Sequence, residues 1–330
     1  LFKKQMKRER NVSVDSLGYT MKVLIVTVIP VLLSTTIYNI SSIIDQGVFK
    51  QVALLQGYSQ NDIDVWWGIY TGKFKLLINV PISIASAMAA SFVPVLTGSY
   101  ARRDMEDVRN QINLSTRFVM VVAFPCTVGL AVLATPIFNL LFNGTRQTND
   151  IASCMMWIGA VSVLFYAMST LSNGLLQGID RLKVPVINAA IALGAHIIVL
   201  VALMLFFRLN IYAVVLANAF FSLLMCFLNS SALKKYSGFE QEIKKTFIIP
   251  AICSIFMGAA AFVIYFLLDH VLIMIGGRIR NAIAFVIAFV VAVIVYAITL
   301  LLFKGLSEDE IRKFPKGMTI IRFAKKFHLL

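Results

Sequence analysis

Apolar residues occur along the chain in long continuous windows and not in short alternating runs. Each window has about twenty or more mostly apolar residues, enough to cross a hydrocarbon core of about 30 Å as a helix. The strands of a membrane barrel would be about ten residues long and would alternate in polarity. The pattern predicts eight helical spans, roughly at 21–46, 66–97, 115–143, 151–177, 185–207, 210–232, 247–268 and 282–304.

Composition supports the same class of protein. The 330 residues are 59% hydrophobic and only 14% charged, whereas soluble domains average about a quarter charged residues. Ordinary soluble domains are therefore excluded. The sequence predicts an all-α polytopic membrane protein.

Lysine and arginine alternate between the two ends of the predicted spans. Most of them fall in one set of loops and in the two termini, while the opposite set is sparse and contains Lys50, Arg146, Arg208, Arg278 and Arg280. Because positively charged loops tend to stay cytoplasmic, both ends of the chain are expected in the cytoplasm. Short loops beside anionic headgroups account for the formal net charge of +14, so nucleic acid is not an expected partner.

The two termini are basic segments outside the spans. The start, LFKKQMKRER, has no initiating Met and no apolar signal-peptide core. It is expected to be an internal cytoplasmic loop, which makes the chain the C-terminal part of a longer protein. Residues 305–330 are expected to be a basic cytoplasmic tail. MTIIRFAKKFHLL within it suits either a helix lying on the membrane surface or a solvated tail.

Motifs for catalysis and metal binding are missing from the sequence. No GxxxxGKS loop and no Ser/His/Asp or paired-carboxylate arrangement occurs. The four cysteines lie in apolar runs without CxxC spacing, and the three histidines form no metal site with them on a recognisable spacing. Transport is therefore favoured over enzymatic activity. No metal or cofactor is expected apart from a coupling ion or the membrane potential.

The first span, IPVLLSTTIYNISSIIDQ, has a wide polar face. One line of polar residues has the helical spacing i, i+4, i+7 and i+11, and a second line runs beside it. The face ends in a carboxylate. It indicates either a water-filled cavity or hydrogen bonds between packed helices. The two lines are Ser34, Tyr38, Ser41 and Asp45, and Thr35, Asn39, Ser42 and Gln46.

The second span begins with two lysines in GIYTGKFKLLINVP. Lys75 starts a polar line that continues through Asn79 and Ser83 at helical spacing. Lys73 lies two positions earlier and so points about 200° away. We expect Lys73 to reach the external headgroups. We expect Lys75 to face Asp45 in a hydrated cavity, with a membrane-surface anchor as the alternative.

One histidine lies within a span and so raises its own question. His196, in GAHIIVLVALML, is midway along the fifth predicted span. Two interpretations remain open. It is either a hydrogen-bonding residue between packed helices or a group that titrates or contacts a ligand.

Three stretches of the sequence carry a resemblance to a known superfamily. They are YTGKFKLLINVPISIASAMAASFVPVLTGSYA, FPCTVGLAVLATPIFNLLF and LSNGLLQGIDRLKVPVINAAIALGAHI. Together they resemble the C-terminal half of the multidrug/oligosaccharidyl-lipid/polysaccharide exporter superfamily. The branch of MurJ-type lipid II flippases and their polysaccharide-export relatives is the most similar. The resemblance covers about residues 15 to 305.

The resemblance implies an architecture and a domain division. Members have two six-helix lobes around a central cavity, often with two further helices. The implied division is a cytoplasmic inter-lobe segment at 1–20, the second lobe at 21–235 and two appended helices at 236–304, before the tail. The first lobe is expected upstream in the same polypeptide. Relatives hold the diphosphate of their lipid-linked substrate in a cationic cavity, and Lys75 is the position that best fits their cation in the second span.

These observations lead to a ranked set of functions. The first is a flippase for a polyprenyl-diphosphate-linked saccharide, most simply lipid II for peptidoglycan synthesis, working by alternating access in the cell membrane. The alternatives are a flippase for capsule or other polysaccharide repeat units, and a cation-coupled multidrug exporter of the same superfamily. Membrane lipids are the other expected partners. The predicted substrate-binding residues are Lys75, Asn79, Asp45, Tyr38, Asn39 and Ser83.

Overall fold

The computed structural model describes residues 16–274 and 276–306, together with single positions farther along the tail. Most of the predicted inter-lobe segment and most of the predicted basic tail therefore lie outside the described residues. Between positions 20 and 38 the helix backbone is described but several side chains are not. Within the described residues the structure is helical and contains no strand.

Eleven α-helices and two π-helical turns follow one another in the described part of the chain. The π-helical turns are Tyr70–Phe74 and Lys244–Ile248. The α-helices are α1 (Leu17–Leu55), α2 (Gln60–Ile69), α3 (Lys75–Ala101), α4 (Met105–Val132), α5 (Ala134–Leu141), α6 (Arg146–Gly159), α7 (Val161–Gly178), α8 (Lys183–Leu205), α9 (Ile211–Ser237), α10 (Ile249–Val271) and α11 (Gly277–Leu302).

Several helices begin at residues that the sequence suits to this role. Asp104 accepts a hydrogen bond from the backbone of Asp107 at the start of α4, and Thr145 does the same for Thr148 at the start of α6. Such caps satisfy backbone N–H groups that have no partner within the helix. At the other end of α9, Gly238 adopts a left-handed conformation with φ of 66°. Glycine tolerates this geometry and ends the helix.

All eight predicted spans coincide with helical segments. Six of the described segments are long and apolar enough to cross a membrane by themselves, and the bent pair α6–α7 would make a seventh. The first predicted span lies in α1, where part of the side chains are not described. The chain is thus a multi-pass membrane protein, and the exact count of eight crossings stays a prediction.

Two predicted spans are wrong in their continuity. The span predicted at 115–143 is interrupted at Leu133, because Pro136 in the first turn of α5 cannot donate the hydrogen bond that would continue α4. The span predicted at 151–177 is interrupted at Ala160, where α6 and α7 meet at 54°. A Cβ atom on Gly159 would lie 2.5 Å from the ring of Phe74. Glycine therefore allows the close approach at this bend.

The helices form one packed bundle. The helix α7 packs against α3, α4 and α9, and α8 packs between α1 and α9. The last two helices, α10 and α11, pack on each other, and α10 also lies along α4. One buried cluster contains Phe49, Tyr70, Phe74 and Met155 near the α6–α7 bend. A second lies between α3, α4 and α7 and includes Leu96.

Large apolar side chains remain exposed on the outside of the bundle. On α10 they include Phe262 and Phe266, and on α11 Phe289 and Val293. Such a surface is unfavourable in water and suits contact with lipid. It agrees with a membrane environment for α10 and α11.

Candidate functional site

A central cavity of about 340 Å³ lies between α1, α3, α7 and α9. Its wall combines a single charged side chain with hydroxyl and amide groups and a few apolar residues. Polar groups facing a cavity inside a membrane bundle mark a candidate substrate site. The polar side chains of the wall are Asn39, Ser41, Ser42, Tyr70, Lys75, Asn79, Ser162, Tyr166, Thr170 and Asn218.

Lys75 is the cation of this wall. It is the first residue of α3, directly after the π-helical turn, and its Nζ donates a hydrogen bond of 3.0 Å to Ser42 Oγ on α1. Lys75 makes no ion pair with any carboxylate in the described part of the chain. Its half-buried charge therefore has no carboxylate of the described residues at ion-pairing distance beside the cavity.

Lys73 points to a different helix, as the helical spacing predicts. Its Nζ donates to Asn149 Oδ1 at 2.7 Å and to Thr148 Oγ1 at 3.0 Å, both on α6. These bonds hold its ammonium group at the start of α6, and whether Lys73 also reaches the external headgroups stays a prediction. Lys73 thus joins the second predicted span to the start of α6.

The expected pairing of Lys75 with Asp45 is wrong. Asp45 is 1% exposed and His196 is fully buried, and His196 Nε2 lies 2.6 Å from Asp45 Oδ1. Asn218 Nδ2 donates to the other carboxylate oxygen at 2.8 Å. The carboxylate of the first span therefore serves the packing of α1 against α8 and α9, and the hydrogen-bonding interpretation of His196 is confirmed.

The contacts of the imidazole determine where its protons lie. His196 Nδ1 is 2.9 Å from the carbonyl oxygen of Ala217, which can only accept, so Nδ1 carries a hydrogen. The short contact between Nε2 and Asp45 also needs a hydrogen, on either the ring or the carboxyl group. In both arrangements the pair has no net charge. It therefore does not cancel the charge of Lys75.

A chain of hydrogen bonds connects this buried pair to the cavity. Asn218 donates to Asp45, and its own Oδ1 accepts from Tyr166 OH at 3.1 Å. Asn218 and Tyr166 both line the cavity. The pair is thus one hydrogen-bond step behind the wall, although neither Asp45 nor His196 forms part of it.

The predicted substrate-binding residues separate into three groups. Those that line the cavity are Asn39, Lys75 and Asn79. Asp45 lies behind the wall, and the hydroxyl of Ser83 donates to the Asn79 carbonyl along the helix without lining the cavity. The side chain of Tyr38 lies outside the described residues. Whether any of them binds a substrate stays a prediction.

Five polar wall residues were not predicted from the sequence, among them Ser162 and Thr170 on α7. Tyr70 sits in the π-helical turn, Tyr166 lies on α7 and Asn218 on α9. Tyr166 and Asn218 are polar residues within apolar spans, which is the signal that could have identified them. No group of three or more metal-binding side chains occurs among residues that the structure describes.

The fold defines the class of protein as a polytopic membrane protein with a MATE-like arrangement of helices. A MATE transporter in a bent conformation matches with a TM-score of 0.53 at 13% identity, over 92% of this chain and 69% of that one. Residues 70–276 match the model of the lipid II flippase MurJ, which is more than half of the chain. The chain belongs to the MurJ family.

Individual relatives agree with this family. The lipid II flippase MurJ of Bacillus subtilis is 23% identical over 257 residues, which are 77% of this chain and 46% of the relative. A solved structure of the lipid II flippase MurJ in an inward closed conformation matches with a TM-score of 0.61 at 19% identity, over 88% of this chain and 57% of that one. The chain thus spans about half the length of the relatives it matches.

Proposed function

We propose that this chain is the C-terminal part of a flippase that moves a polyprenyl-diphosphate-linked saccharide, in the first place lipid II, across the cytoplasmic membrane. Family membership supports the reaction class. The observation that carries the proposal is the position of Lys75, whose ammonium group borders the cavity and forms no ion pair with a carboxylate of the described residues.

The chemistry of the headgroup fits this environment. A diphosphate that enters a site of low dielectric constant needs a positive partner, because the cost of removing its charge from water is large. Lys75 supplies that partner. Asn39 and Asn79 offer amide groups to the phosphate oxygens or to sugar hydroxyls.

Translocation then needs positioning of the headgroup and no covalent step. Opening of the cavity toward the cytoplasm would admit the headgroup, and closure against the lobe expected upstream would release it on the other side. We assign the second lobe to 21–235 and the appended helices to 236–304, with both chain ends in the cytoplasm. The mutual packing of α10 and α11 supports this division.

The Asp45–His196 contact disfavours cation-coupled drug export. An exporter of cationic drugs needs a carboxylate that reaches the cavity, whereas the oxygens of Asp45 are bonded to His196 and Asn218. A flippase for other polysaccharide repeat units would use the same diphosphate contact. It differs only in the saccharide, so the test below separates the two.

Conditional depletion of the full-length protein tests the proposal. Lipid II is expected to accumulate on the inner leaflet of depleted cells, and accumulation of a different lipid-linked saccharide would assign the chain to that substrate instead. If neither accumulates, the flippase function is wrong.

The role of Lys75 is tested by complementation of the depleted cells. Lys75→Arg is expected to restore growth because it keeps the charge, and Lys75→Gln is expected to fail. Arg208→Gln is the matched control, since Arg208 is an exposed cation that does not line the cavity. Equal growth with Lys75→Gln and Arg208→Gln would show that the Lys75 charge is not needed.

A further inference from the structure

A second polar cleft, of about 520 Å³, lies at the end of the bundle where α6 and α11 begin. It lies between the α5–α6 connection on one side and α10 and α11 on the other. None of its lining residues belongs to the central cavity. The residues that matter most here are Arg146, Asp269, Arg278 and Arg280.

The cleft collects positive charge from distant parts of the sequence. Three of the five cations in the sparse loop set, Arg146, Arg278 and Arg280, line it, and Asp269 is the single carboxylate in its described wall. Arg280 Nε lies 2.8 Å from Asp269 Oδ1. Arg146 is 3.9 Å from Asp150, and its side chain is 96% exposed. The arginines of the wall thus outnumber its carboxylate by two.

Hydrogen bonds hold the walls of the cleft in place. Asn281, which is buried, accepts from Tyr265 OH at 2.8 Å and donates to the Pro136 carbonyl at 3.0 Å. Asn149 donates to Asn139 Oδ1 at 3.0 Å. These bonds tie α11 to α10 and α5, and α6 to α5. The guanidinium groups therefore project from a built wall and not from an isolated surface loop.

The location favours a ligand that is part of the membrane. Val271, Met274 and Ile279 are large exposed apolar residues beside the cleft, at 66%, 97% and 61% exposure. Polar groups next to such a surface lie where the hydrocarbon-facing part of a protein meets the headgroup level. The starts of α6 and α11 add partial positive charge at the same place.

We propose that this cleft is a second anion site, which binds the phosphate or diphosphate group of a lipid at the membrane surface. Arginine forks match phosphate oxygens with two parallel hydrogen bonds, and Arg146 and Arg278 have exposed side chains. Arg278 Nη2 donates to the Leu140 carbonyl at 3.3 Å, and its remaining N–H groups lie in the wall of the cleft. The site is independent of the flippase function proposed for the central cavity. Free phosphate offers the same chemistry, so the experiment includes both sources.

Binding is measured by native mass spectrometry of the full-length protein in zwitterionic nanodiscs. The membrane-borne probe is geranylgeranyl diphosphate, the soluble probe is inorganic pyrophosphate, and the uncharged comparison is geranylgeraniol. All variants carry Lys75→Gln, so that the cation of the central cavity does not contribute. The test variant adds Arg146→Gln and Arg278→Gln. The matched control adds Lys22→Gln and Arg208→Gln, which remove the same charge at exposed positions outside the cleft.

The diphosphate lipid is expected to bind the test variant about tenfold or more weakly than the control, in line with the loss of charge-assisted hydrogen bonds. Arg146→Lys with Arg278→Lys should recover part of the affinity, because charge remains without the fork. If the test variant loses affinity only for the lipid probe, the ligand is a lipid headgroup. If it loses affinity only for pyrophosphate, the ligand is free phosphate. The proposal is overturned if the test and control variants bind both anions with equal affinity. It is also overturned if the protein retains geranylgeraniol as well as it retains geranylgeranyl diphosphate.

Discussion

Asp45 and His196 are 151 positions apart in the sequence, and their side chains meet at 2.6 Å where both are buried. The contact joins α1 to α8 without adding net charge to the bundle. Because Asn218 completes the carboxylate's hydrogen bonds, the pair is satisfied on both oxygens. Its removal should therefore affect the stability of the bundle more than the charge of the cavity.

His196→Leu is expected to destabilise the protein by about 3–5 kcal/mol, because it leaves the buried carboxyl group of Asp45 without its main partner. Thermal unfolding of the detergent-solubilised full-length protein measures the effect. Asp45→Leu with His196→Leu should cost clearly less than the sum of the two single changes, since neither a buried carboxyl group nor a buried imidazole then remains without the other. Strict additivity would contradict the pairing.

Lys73→Met is expected to lower stability by about 1–3 kcal/mol, because Thr148 and Asn149 lose a charged donor within the bundle. Lys75→Met is expected to lower stability less, because the Lys75 ammonium group has one protein hydrogen bond. It is expected to abolish complementation, because this group faces the cavity. The two substitutions change the same type of residue two positions apart. Identical phenotypes would refute the separate roles.

Gly159→Ala is expected to destabilise the bundle by about 1–3 kcal/mol, because the new methyl group would meet Phe74 at 2.5 Å and Val215 at 2.6 Å. Gly194→Ala is the matched control. It lies within α8 with no atom within 4 Å of the added Cβ, so it should stabilise the helix by roughly 0.5–1 kcal/mol. Unfolding midpoints that move in the same direction for both would contradict the close approach at the bend.

A chain of three asparagines, of which Asn188 and Asn229 are buried, crosses three helices. Asn188 donates to Asn229 at 2.8 Å, and Asn229 donates to Asn173 at 2.7 Å. Asn229→Ala removes both bonds and is expected to cost about 1–2 kcal/mol in unfolding measurements. Asn39→Ala, at an exposed position on the cavity wall, should leave the unfolding midpoint unchanged. If Asn39→Ala lowered the unfolding midpoint more than Asn229→Ala does, the hydrogen bonds of Asn229 would not be the stabilising contact.

The sequence predicts well which side chains share a face of a helix. It predicts less well which other helix packs against that face. Helical spacing alone separates Lys73 from Lys75, and the structure confirms that they contact α6 and α1 respectively. Spacing within one span carries no information on which distant helix lies opposite. The carboxylate of Asp45 was therefore assigned to Lys75, although His196 is its partner.

The breaks in the helices were likewise only partly predictable from the sequence. Pro136 is visible in the sequence, and its missing N–H explains the break after α4. Gly159 is less informative, because glycine occurs in many membrane helices without a bend. At the 54° bend between α6 and α7, the missing Cβ of Gly159 leaves room for Phe74 and Val215, which lie far away in sequence.

The π-helical turn at Tyr70–Phe74 is equivalent to one extra residue inserted into an α-helix. Each residue of an α-helix corresponds to a rotation of about 100°. The wider turn absorbs this rotation, so deleting one residue from it would restore an α-helix and keep α2, with Trp66 and Trp67, in nearly the same orientation relative to everything that follows Lys75. A single-codon deletion in this stretch of the gene would thus be absorbed by the turn, with the aromatic face of α2 kept in place and every side chain of the cavity-forming helix α3 chemically unchanged.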